Sequence, residues 1–132
     1  MMSTEAQTKI DLEFADSSVV FGISSCSSHK KHSFWVLVRI EAEEFLGKLR
    51  YFEQMTWKQF GALPRENGLT SEIQGTGSYN MIDQQNNSAS KLVERRYFHF
   101  RVKQKSLFRV LGYQYKNIFY ITHLDPKGIL HH

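Results

Sequence analysis

The last third of the chain most constrains what it can fold into. YFHFRV (97–102), LFRVLGYQY (107–115) and NIFYITHLD (117–125) are three short aromatic and β-branched runs separated by turn-forming stretches, the pattern of consecutive strands. In the first, Phe98, Phe100 and Val102 alternate with Tyr97, His99 and Arg101, so one face packs and the other is presented. The second places Phe108 and Val110 on one face and Arg109 on the other. In the third, Ile118, Tyr120 and Thr122 alternate with Phe119, Ile121 and His123, which puts Tyr120 and His123 on opposite faces of a regular strand. A bulge, or the end of the strand before Asp125 and Pro126, is needed to bring them to one site.

Upstream, IDLEF alternates, and VVFGI extends or follows it as a first edge strand or hairpin arm. SSCSSHKKH reads as a flexible polar loop. SFWVLVRI, almost continuously apolar, reads as a strand buried on much of both faces beside the C-terminal strands. The period then changes: Ala42, Phe45, Leu46, Leu49 and Phe52 recur at helical spacing, with Glu41, Glu43 and Glu44 in the first turn where the helix field favours acids. Thr56, with Gln59 three positions on, is a capping box that starts a second, short helix whose Trp57 and Phe60 point inward and which Gly61 and Pro64 stop. From 64 to 90 no period is sustained, which predicts a long flexible loop with one short strand near Ile73. At 132 residues and 41% hydrophobic composition the chain supports one core, hence a single domain over 1–132. The fold class expected is α+β, a small, mainly antiparallel sheet packed against two helices.

Charge is unevenly distributed. Residues 85–132 carry nine Lys/Arg against Glu94 and Asp125, whereas residues 1–84 carry eight against eleven acids, so a formal net charge of +4 conceals a basic C-terminal part. Such an asymmetry suits phosphate, and also an acidic partner protein. No apolar run reaches the length of a membrane span, and the start MMSTEAQTKIDLEF has no signal-peptide pattern, so a cytoplasmic protein without a membrane partner is expected. Cys26 is the only cysteine, which excludes an intramolecular disulfide framework and a thiolate metal cluster.

The pattern calls for neither cofactor nor metal: no carboxylate pair stands with a histidine at ligand spacing. RNA cleavage without a metal uses the substrate's own 2′-hydroxyl, which attacks the adjacent phosphate. The protein must take that proton, stabilise the added charge on phosphorus and protonate the leaving oxygen. The candidate catalytic residues are Arg101 and Arg109 as a phosphate clamp, His99 and His123 as base or acid, and Tyr120 as a hydrogen-bonding or proton-donating group. Arg95, Arg96, Lys103, Lys105 and Lys116 are candidates for holding the RNA backbone. His131 and His132 are given no role.

The stretch FRVLGYQYKNIFYITHLDPKG resembles the C-terminal hairpin and final strand of RelE/HigB-like toxin components of prokaryotic toxin-antitoxin systems. The resemblance is carried by Phe108, Arg109, Val110, Gly112, Tyr113, Phe119, Tyr120, Asp125 and Pro126, and by MTWKQF at 55–60. It covers about a quarter of the chain and is in large part the mechanics of a tight hairpin. It implies a small twisted sheet packed by helices, an endoribonuclease acting on mRNA, in some members at the ribosome, and a cognate antitoxin as protein partner. By position, Arg101 and Arg109 look like the phosphate-binding strand arginines and Tyr120 like the hydroxyl or aromatic residue of the last strand. The chain departs from that pattern in placing a strand and a Ser/Cys/His loop before its helices, and in its long 64–90 insert.

Two other readings fit the same residues. A non-catalytic basic module would dock RNA or an acidic protein segment, with Tyr97, Phe100 or Tyr115 stacking on bases. A homo-oligomeric structural protein would associate through an edge strand such as IDLEF. The oligomeric state is left open by the sequence.

Overall fold

The computed structural model describes residues 10–71 and 96–129, Arg96 by its backbone alone. The fold is α+β, a twisted, mainly antiparallel five-stranded sheet packed against two helices. In chain order the elements are β1 (Val20–Gly22), α1 (Arg39–Phe52), α2 (Trp57–Ala62), β2 (Thr70–Ser71), β3 (Arg96–Arg101), β4 (Arg109–Tyr115) and β5 (Ile118–Asp125). The sheet order is β1-β5-β4-β3-β2. All pairings are antiparallel except that of β1 with β5, which is parallel with Val20 opposite Ile118.

The three C-terminal strands form a meander because their apolar residues alternate. Phe98, Phe100, Val110, Phe119, Ile121 and Leu124 all reach one core with Phe45 and Phe52 of α1 and Trp57 and Phe60 of α2. Rings mesh at its centre: Phe52 lies 4.3 Å from Phe60 and 5.0 Å from Phe100, centroid to centroid. Such tilted and edge-on pairs add to what the buried area itself contributes. The short helix α2 begins as its capping box requires, with the Gln59 N–H donating to the Thr56 hydroxyl and the Thr56 N–H to Gln59 Oε1.

Three expectations are corrected. SFWVLVRI is not a strand: Phe34–Val36 form a 3-10 turn, and the helix opens directly after it at Arg39, with Glu41 Oε1 accepting from the Val38 N–H. An apolar run without periodicity does not by itself distinguish a strand from other structure, and here the helical stripe that follows recruited its last two residues. IDLEF is likewise no strand. Asp11 accepts from the Glu13 N–H and caps a 3-10 turn at Leu12–Phe14, while its own N–H donates to Gln114 Oε1. A two-residue strand, β2, forms at Thr70–Ser71; Ile73, near which a short strand is expected, lies with most of the 64–90 stretch outside the described residues.

The Ser/Cys/His loop is also different from its expected form. Ser25, Ser27, His32 and Ser33 are buried, and the segment is stitched to β5: the Ser27 N–H donates to Thr122 O at 2.7 Å and the Leu124 N–H to His32 O at 3.0 Å. It continues along the β5 edge from the point where β1 ends. No helix among the described residues is long and apolar enough to cross a membrane.

Candidate functional site

The sheet face turned away from the helices carries the candidate residues in three cross-strand rows. Register places Arg101 opposite Arg109 and Arg109 opposite Asp125; His99 opposite Leu111 and Leu111 opposite His123; Tyr97 opposite Tyr113 and Tyr113 opposite Tyr120. The third strand would have sent His123 to the core side were it regular. Instead, Leu111 pairs with His123 and Gly112 with Ile121, so Thr122 is an extra residue and β5 bulges there. The parity of the strand inverts: Phe119 and Ile121 reach the core before the bulge and Leu124 after it, and Tyr120 and His123 therefore share a face.

Thr122 holds the bulge and fixes the chemistry of its neighbour. Its hydroxyl donates to Leu111 O at 3.1 Å, and His123 Nδ1 lies 2.9 Å from the same hydroxyl oxygen. The one hydroxyl proton is committed to the carbonyl, so Nδ1 must carry the imidazole proton and Nε2 the lone pair. Burial, with smaller contributions from His32 and His29, pushes the His123 pKa down to about 3, so the ring is neutral at pH 7. The His32 pKa is also lowered, chiefly by burial, although its ring Nδ1 donates to Leu124 O at 3.2 Å and lies 3.8 Å from Asp125 Oδ1. The His32 and His123 ring centroids are 6.1 Å apart.

The rows share a face without converging on one point. Adjacent rows are two residues apart along a strand, so the arginine and tyrosine rows are separated by roughly 13 Å. Arg101, Arg109, Tyr97 and Tyr120 are half-buried, whereas His99 and His123 are buried, at 6% and 2% exposure. Tyr120 stacks on Tyr113 at 5.3 Å, and its ring covers Gly22, where an added Cβ would lie 2.9 Å from it. The Tyr113 hydroxyl shares a 2.8 Å hydrogen bond with Ser25 Oγ. Arg109 Nη1 donates to Leu107 O at 3.4 Å, beside Asp125, whose Oδ1 accepts from the Ile129 N–H.

The expected RNA-backbone residues are scattered. Lys103 is exposed and paired with Glu44 at 3.4 Å; Lys105 and Lys116 are exposed in turns, both with positive φ. Arg95 and the side chain of Arg96 lie outside the described residues. Phe100 is corrected from a base-stacking candidate to a core residue, fully buried, while Tyr115 is exposed. Sequence reasoning missed His32, Ser25 and Thr122. A serine- and histidine-rich loop has no apolar period to reveal that it packs, and a bulge has no composition signature when the extra residue is β-branched. Among the described residues no group of three His, Cys, Asp or Glu side chains is placed to hold a metal ion.

Burial of neutral histidines has a pH signature. A group whose folded pKa lies below its unfolded value binds more protons when unfolded, so its contribution is complete above the unfolded pKa near 6.5 and is lost as pH falls from there toward 3. Stability from urea titrations should be level above pH 7 and fall below about pH 6.5, with a slope approaching about 1.4 kcal/mol per pH unit for each such proton. His123→Asn should flatten that fall.

Comparison of the chain with protein-family models, with curated proteins and with solved structures gave no match.

Proposed function

We propose that the protein is a metal-independent endoribonuclease that cleaves mRNA by 2′-hydroxyl attack, acting as the toxin of a toxin-antitoxin pair with a cognate antitoxin as its partner. The observation that carries this reading is the bulge at Thr122, which puts His123 and Tyr120 on the face that holds the Arg101–Arg109 pair. Arg109 stands between Asp125 and Arg101 in its row, and Arg101, half-buried at the end of β3, adds a second guanidinium from which a phosphate can accept. A phosphate held there would be one row from His123. Nε2 of the neutral imidazole is free of a proton and can accept one from the 2′-hydroxyl, and the phosphate's charge would raise its pKa toward the working range. With His123 as the base, the leaving-group proton falls to His99, across Leu111 in the same row, or to Tyr120.

A second reading is favoured by the burial of His99 and His123. With both imidazoles packed, the same face is a non-catalytic platform on which Arg101 and Arg109 grip phosphate and Tyr97 and Tyr120 present their rings.

Inducible expression in a bacterial host separates the two. The wild type should arrest growth and create new mRNA 5′ ends, and the Arg101→Ala/Arg109→Ala/Tyr120→Ala variant should lose about a hundredfold or more of the cleavage. Normal growth with intact mRNA, at confirmed soluble expression, would transfer the assignment to the binding platform.

A further inference from the structure

The apolar run that forms no strand is left largely at the surface. The 3-10 turn Phe34–Val36 lifts Trp35 to 87% exposure, and Ile23, Phe34 and Leu46, also exposed, line the same cavity as Trp35. Contiguous apolar surface of this kind marks an interaction site more often than isolated exposed residues do. Between the turn and α1 opens a cavity of about 530 Å³, with Phe34, Trp35, Leu46 and Leu49 in its walls and Ile121 and Leu124 at its floor. It lies on the helix side of the sheet, away from the arginine and histidine rows.

The rim is basic. Lys30 and Lys31 are exposed on the loop that leads into the turn, and Arg50 is exposed one helical turn beyond Leu46. Of the nearby acids, Glu43 is paired with Arg39 at 3.2 Å, Glu44 with Lys103 at 3.4 Å, and Glu41 is turned to the positive N-terminus of α1, where it accepts from the Val38 N–H; Glu53, at the far end of the helix, is then set against Lys30, Lys31 and Arg50. A second copy of the chain would bring two such rims together across a symmetric contact, where like charges repel.

We propose that this groove docks an acidic amphipathic helix of a partner protein. Apolar residues at i, i+3 or i+4, and i+7 of the partner fill the cavity, and its carboxylates meet Lys30 and Lys31. The proposal uses no residue of the arginine, histidine or tyrosine rows and does not depend on the ribonuclease reading.

The chain carries its own reporter, because it has two tryptophans and Trp57 is fully buried, so a change in the red edge of emission belongs to Trp35. The full-length protein is titrated with a synthetic leucine/glutamate helical peptide of about 16 residues, long enough to span about four turns, and with its leucine/lysine counterpart. The expected result is a saturable blue shift with the acidic peptide, weakened by salt, with the basic peptide at least about tenfold weaker. Lys30→Glu/Lys31→Glu should reverse the order of the two peptides. Leu46→Glu should weaken the acidic peptide about tenfold or more at unchanged far-UV CD; if it fails to fold, the loop pair alone decides. Absence of a saturable shift, equal affinity for both peptides, or a blue shift on concentrating the protein alone would each overturn the proposal, the last by assigning the groove to a second copy.

Discussion

Gly112→Ala is expected to cost about 3 kcal/mol or more, a large share of the roughly 5–15 kcal/mol that holds a domain of this size together. Gly112 sits in the middle of β4 opposite the bulge, where β5 is drawn in against it. A Cβ built there falls on the backbone oxygen of Tyr120 and lies 2.5 Å from the Phe119 ring. Neither can give way cheaply. The oxygen belongs to the sheet ladder, and Phe119 is fully buried among Phe21, Phe100 and Trp57. Relief would have to come from pushing β5 away from β4, which would also pull His123 and Tyr120 out of line with the arginine pair. Urea denaturation of the variant should show a much lower midpoint, and an unfolding free energy within about 1 kcal/mol of wild type would mean that the strands separate freely here.

Trp57→Ala should cost about 3–5 kcal/mol. The indole is fully buried and lies 5.5 Å from Phe60 and 6.4 Å from Phe119 between centroids. Its Nε1–H donates to Asn117 O at 2.8 Å, and the Val20 N–H donates to the same carbonyl. One oxygen in the β4–β5 turn thus ties α2 and β1 to the sheet. Trp57→Phe keeps most of the ring volume and loses the indole donor, so it should cost only about 1–2 kcal/mol. The ordering of the two variants in thermal or urea unfolding checks the assignment: equal losses would mean that the hydrogen bond, and not the packed volume, carries the site.

What could be read from the sequence was whatever depends on neighbours in the chain. The alternation of Phe98, Phe100 and Val102, the Thr56–Gln59 box, and the stripe from Ala42 to Phe52 each involve residues a few positions apart, and each formed the element its period implies. Long-range choices were opaque. Nothing local says that Asp11 will reach Gln114, 103 positions away, and turn IDLEF into a capped turn. Nothing local says that Phe34 and Trp35 will lack a sheet neighbour. The site was legible as a set of residue types and only half legible as a geometry: alternation put Arg101, Arg109 and His99 on one face, the Thr122 bulge added His123, and the depth at which the two histidines lie depends on the packing of distant segments.

The parallel pairing of β1 with β5 makes synthesis order matter. Val20 emerges from the ribosome early, yet its partner Ile118 follows almost a hundred residues later, whereas β3, β4 and β5 are neighbours joined by short connections. Closing so long a loop is slow compared with forming the local meander. During translation the N-terminal segment, with Phe21 destined for the core, waits without its docking edge until the final strand appears. A segment made well before the meander is therefore secured only after it, and a message truncated ahead of the codon for Ile118 yields a product in which β1 lacks the strand it pairs with.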